Sequence, residues 1–176
     1  MKETWHDPPM SLKSITVNLP FVSGTWEVDD AQRQAAWEMY VELVTRISVQ
    51  PLEPDEGLLR EALSSLHSLF GETRRIMRAA GPGVARPRRG ELLTFGQIAV
   101  DVLNVLVRPV IAKWHPLLLE HEASRGAKSA TEHERAWDKA NALREVLAGL
   151  RKQVSEYADL LADACDVARL HETHVQ

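Results

Sequence analysis

Asp101, Asn104, Arg108 and His115 follow Gln97 at helical spacing, with Trp114 beside them, and they are the residues of this chain best arranged to do chemistry together. A carboxylate, a carboxamide, a guanidinium and an imidazole on one helix face could line a polar pocket for a small molecule, or pass protons along it. A solvated edge of an amphipathic helix accounts for the same spacing, with Asp101 and Arg108 as a surface charge pattern. Heptad spacing is what that plainer reading predicts, and the placement of His115 decides between the two.

The second candidate is electrostatic. Arg74, Arg75, Arg78, Arg86, Arg88 and Arg89 are opposed nearby only by Glu72 and Glu91. Guanidinium groups on a loop could hold phosphate, nucleic acid or an acidic partner. Alternatively, three of them complement the negative end of a helix and the rest keep "GPGVARPRRG" in water. No aromatic residues interleave the arginines, so stacking on bases is not offered.

Other reactive constellations are missing from the sequence. Di-iron bundles need Glu-x-x-His pairs on two helices, and here that spacing occurs only at Glu3 to His6, while His67, His115, His121 and His133 are scattered. The single cysteine, Cys165, allows no intrachain disulfide and reads as a small residue near the core rim. The pairs Asp29–Asp30 and Asp55–Glu56 sit where helix starts explain them. Dinucleotide, Walker and nucleophile-elbow motifs are not found. The expectation leans against an enzyme, with no cofactor and no metal.

Composition bounds the class. The chain has 176 residues, of which 44% are hydrophobic and 26% charged, with a formal net charge of −4, which suits one domain with its own core and offers no field for nucleic acid or anionic lipid. The N-terminal stretch carries Glu3, Asp7 and a Pro pair where a signal peptide would be apolar, and Ile98 to Leu119 is interrupted by Asp101, Asn104, Arg108, Lys113 and His115. A soluble cytoplasmic protein without a membrane span is expected. Arginine outnumbers lysine 15 to 6, a bias of GC-rich bacterial genomes.

Four long helices must position these residues. The first runs from Asp30 to about Val49, capped by Asp29 with Gln32 as capping-box partner, and carries Ala36, Tyr40, Leu43, Val44 and Ile47 inward before "QPLEP" ends it. Pro54 opens a second, through about Ala80, with a seam of Leu59, Leu63, Leu66, Phe70, Met77 and Ala80, and "GPG" stops it. Thr94 and Gln97 cap a third helix, to about Glu122, apolar over most of its circumference; Pro109 and Pro116 should bend it, and it is best buried between neighbours. Thr131 with Glu134 caps the approach to a fourth, whose heptad of Ala136, Ala140, Leu143, Leu147, Leu150, Val154, Tyr157, Leu161, Ala164 and Ala168 is coiled-coil-like. The fold expected is an all-α, antiparallel up-down four-helix bundle over residues 29–168, with an extended arm at 1–28 and a frayed tail at 169–176.

The arm raises a question of its own. Ile15, Val17, Leu19 and Phe21 alternate with polar residues at the period of a strand, and Trp26 stands ready to anchor them. Ordering about nine residues costs roughly 9–18 kcal/mol, whereas burying the four apolar side chains returns about 6–12. Its backbone groups therefore need partners, and no second strand is evident. The arm runs along its own bundle, pairs with a second copy, or joins another protein's sheet.

These observations give an expected function: a non-enzymatic helical interaction or scaffolding module, a homodimer or one subunit of a larger bacterial assembly, with its arm in partner binding. A small-molecule binder or enzyme using the polar stripe of the third helix is the alternative, and phosphate contact by the 74–89 arginines a weaker one.

Overall fold

A computed structural model describes residues 12–46, 56–87 and 93–170. The expected N-terminal features through residue 11, the 50–54 break, Arg88, Arg89 and the last six residues of the tail lie outside the described residues.

The segment expected to be a lone strand is one half of a hairpin. Strand β1 (Lys13–Leu19) turns at Pro20–Phe21 and pairs antiparallel with β2 (Val22–Val28), with Ile15 opposite Trp26 and Val17 opposite Gly24. This corrects both the all-α expectation and the unpaired arm: the second strand was in the chain. Its inward positions are Val22, Gly24, Trp26 and Val28, and a glycine in that row breaks the apolar alternation by which a strand is recognised. Gly24 is required there, because its φ is +153° and a Cβ would meet Leu93 Cδ1 at 3.0 Å. Leu93 also forms a parallel bridge to Trp26, partly covering the outer edge of β2.

The rest is helical: α1 (Asp30–Val44), α2 (Leu59–Ala80), α3 (Phe95–Ala123), α4 (Ala130–Arg135) and α5 (Ala140–Cys165), with a 3₁₀ turn at Pro82–Ala85. Asp29 caps α1 by accepting from the Gln32 N–H at 2.9 Å. The Gln32 side chain does not return to the cap as a capping box requires; it points into the core. There its Oε1 accepts from Trp26 Nε1 at 2.5 Å and from the Phe95 N–H at 2.9 Å, and its Nε2 donates to the Glu27 carbonyl at 3.1 Å. One buried amide thus joins the hairpin, α1 and the start of α3.

Gly81 ends α2 with φ +75°, donating its N–H to the Met77 carbonyl. The 3₁₀ turn then lets α3 begin against it: a Cβ on Gly96 would stand 3.1 Å from the Val84 carbonyl. Within α3 the turns at Val102–Val107 widen to π geometry, and the Arg108 N–H reaches back five residues to the Leu103 carbonyl. Pro109 follows directly. Its ring would crowd the Val105 carbonyl in a regular α-helix and it offers no N–H, so a wider turn relieves the conflict.

The fourth long helix begins at Ala140 rather than Ala136. Ser129 and Glu132 form the capping box, opening α4, and residues 136–139 are a turn that buries Trp137. From Ala140 the heptad holds: Leu143, Leu147, Leu150, Val154, Tyr157, Leu161 and Ala164 are buried. Tyr40 then fastens the chain beyond α5, donating to the Ala168 carbonyl at 3.1 Å and accepting from the Leu170 N–H at 2.6 Å. Val17, Leu19, Trp26 and Val28 belong to the same continuous apolar cluster as the helix faces, so the hairpin is part of the core.

Candidate functional site

The polar groups that the fold brings together sit where α2 starts, α3 ends and α4 crosses between them. Leu58, Arg60, Leu118, His121, Glu122, Arg125, Ala130, His133 and Glu134 line a cleft of about 340 Å³ there. Leu58 precedes α2 and has no side chain able to cap it. Glu134 supplies that cap from 75 residues away, its Oε2 accepting from the Leu59 N–H at 2.8 Å while Oε1 faces Arg144 at 3.4 Å. Burial raises its carboxyl above the ordinary carboxylate range, opposed by the Leu59 N–H and the Arg144 charge. Arg60 grips Glu122 with two nitrogens at 2.7–3.1 Å.

The imidazoles of His121 and His133 stack at 3.8 Å with planes 3° apart. The Nε2 of each lies 2.9 or 2.7 Å from the backbone carbonyl of the other. A carbonyl only accepts, so both Nε2 atoms carry hydrogen. Trp137 extends the stack over His121 at 5.3 Å and meets Trp114 edge-on. Most polar groups of this cluster are tied to a neighbour that fixes an element: Glu134 to α2 and α5, Glu122 to Arg60, the histidines to each other's backbone, while Arg125 is exposed at its rim. The cluster holds three elements in register. Elsewhere, Cys165 donates to the Arg33 carbonyl, and burial pushes its thiol up to about 11, which suppresses thiolate chemistry. Among the described residues no group of three or more His, Cys, Asp or Glu is placed to hold a metal ion.

The stripe expected on α3 does not converge on this cleft. Gln97 Nε2 donates to Asp101, Arg108 Nε donates to Asn104, and the Arg108 guanidinium lies 5.3 Å from the Phe70 ring. His115 is half-buried, edge-on to His67 at 6.1 Å, whereas Trp114 points the other way into the core. None of Asp101, Asn104, Arg108, Trp114 and His115 lines the 340 Å³ cleft. Among the arginines, Arg75 is held by Glu72 and Glu38 at 2.8 and 3.0 Å, while Arg74, Arg78 and Arg86 are exposed. Of the arm residues, Val17, Leu19 and Trp26 are buried and Ile15 and Phe21 partly so, all packed inside their own chain.

What the sequence did not single out is the side of α3 that faces away from the core, next to that stripe. The helix is long and apolar enough to cross a membrane by length and composition, yet only 39% of its most apolar window is buried. Val105, Pro109, Ala112, Pro116, Leu119 and Ala123 are all exposed, Val105 by 51% and Leu119 by 58%. Their spacing of 4, 3, 4, 3 and 4 is that of a coiled-coil seam. This corrects the expectation that α3 is buried between neighbours: Val107, Trp114 and Leu118 face inward, and a second apolar row faces out. The signal was legible as apolarity all round the helix, which a buried helix and a helix with an outside partner share.

Comparison with protein families, curated proteins and solved structures finds no match to this chain.

Proposed function

We propose that this protein is a non-enzymatic helical interaction module whose binding surface is the outward seam of α3. One observation carries the reading: a heptad row of apolar side chains from Pro109 to Ala123, with Val105 in the widened turns just before it, is exposed on a helix whose other face already packs the core. Apolar side chains aligned at seam spacing, here small ones with Val105 and Leu119 as the large members, mark a contact surface where singly scattered ones do not. The four long helices act in this reading as an up-down bundle, in which α2 packs along the 102–123 part of α3 and α5 meets it at the widened turns. The partner is protein, either a second copy or another subunit.

The test is site-specific photocross-linking in the source cell, with a benzophenone amino acid at Ala112 or Leu119 and, as a control, at exposed Lys152. Protein adducts are expected from the first two positions only. No adduct at either, or equal yield at position 152, refutes the reading.

A further inference from the structure

We infer that the occupant of the α3 seam is a second copy of this chain, laid antiparallel across a two-fold axis near Pro116. The inference rests on the interaction reading above and adds the partner and its register. Lys113 and Glu120 are seven residues apart and hence on the same flank of the seam, and both are exposed. Neither is in an ion pair among the described residues; the Lys113 ammonium lies 5.1 Å from the Trp114 ring. Their signs are opposite about a midpoint beside Pro116.

That arrangement discriminates between orientations. In a parallel pair the two-fold axis runs along the helices and puts the Lys113–Glu120 flanks of the two copies on opposite sides of the seam, so Lys113 and Glu120 do not meet across it. A two-fold axis normal to an antiparallel pair keeps each flank on its own side and reverses its direction, so Lys113 of each copy meets Glu120 of the other. The same register sets Pro116 opposite Leu119 on either side of the axis and Ala112 opposite Ala123 at the two ends. Alanines at those ends let the backbones approach closely, and Val105 and Pro109 reach past the seam toward the other copy's 126–130 loop. Twelve residues of helix span roughly 18 Å, short of a standard interface, so the dimer is expected to exchange with monomer over the concentrations tested below.

Sedimentation equilibrium of the full chain from about 5 to 500 μM in low salt tests this. Wild type is expected to dimerise and Leu119→Asp to stay monomeric. Lys113→Glu or Glu120→Lys alone, which converts two attractions into two repulsions, should weaken dimerisation about 10- to 30-fold, and the double reversal should restore it to within about threefold. A wild-type monomer at 500 μM, a dimer that survives Leu119→Asp, or a double reversal no better than the singles overturns the inference. Cross-linked adducts at Leu119 of a mass other than twice the chain would overturn it too, while leaving the interaction reading standing.

Discussion

Removing the Glu134 carboxylate should unlatch the start of α2, and the size of the effect follows from what the carboxylate holds. Glu134→Ala leaves the Leu59 N–H without its 2.8 Å acceptor in a buried setting and leaves Arg144 without the carboxylate at 3.4 Å. A buried donor left unsatisfied costs about 1–3 kcal/mol, and hydrogen bonds to a charged group lie at the upper end. The expected loss is therefore about 3 kcal/mol, or about 6–12 °C in Tm for a chain of this size. Glu134→Gln keeps an acceptor for Leu59 and should cost about 1 kcal/mol.

The pH dependence carries its own sign. Burial raises the folded carboxyl above its unfolded value of 4.5, so between those two values the native state binds more protons than the unfolded one. Its contribution to stability accordingly falls as pH rises through that window and improves on acidification. Urea unfolding followed by tryptophan fluorescence, at steps from pH 7.5 down to 4, which takes in the whole window above 4.5, is the assay. Stability of wild type relative to Glu134→Gln should increase as pH falls. A loss below about 1 kcal/mol for Glu134→Ala, or a wild-type-minus-Gln difference that moves the other way, would refute this account.

Gln32→Ala deletes an acceptor shared by Trp26 and Phe95 and a donor to Glu27; it should cost about 3 kcal/mol in urea unfolding, far more than loss of a helix cap alone. Cys165, with its thiol raised from 9.0 to about 11, should react with iodoacetamide at pH 8 about 100-fold more slowly in the folded chain than in 6 M urea; equal rates would show that burial does not govern it.

Several rules that act within one or two turns were legible in the residues, although the capping box lies at Ser129–Glu132 rather than Thr131–Glu134 and α2 begins at Leu59 rather than Pro54. The start of α1 at Asp29, the stop of α2 at Gly81, the start of α3 at Thr94 and the heptad of α5 all follow from caps, glycine and period. What escaped depended on distant partners. Gln32 and Glu134 sit three residues after plausible capping residues, Asp29 and Thr131, so a local reading sends both side chains back along their own helix. Trp26, Phe95 and Leu59 draw them elsewhere, and nothing near them in the sequence announces it. Strand β2 was hidden by Gly24, whose purpose is to make room for Leu93, far along the chain. The polar stripe of α3 was seen at once because polar residues stand out in an apolar run. The outward seam was not, because composition alone cannot tell which apolar side lies against its own protein.

The widened turns at Val102–Val107 have a consequence for how this sequence can change. A π segment accommodates a surplus residue, so the two ends of α3 are rotated relative to one another by about a quarter turn compared with a regular helix. Phe95 and Ile98 are thereby aimed at the hairpin side of the core while Trp114 and Leu118 are aimed at the far end. Deleting one amino acid here, Asn104 for instance, would yield a smoother coil and a worse protein, since either the aromatic start or the tryptophan end would swing out of its seat. Homologues from other genomes should therefore vary in side chain at these six positions while keeping their number fixed.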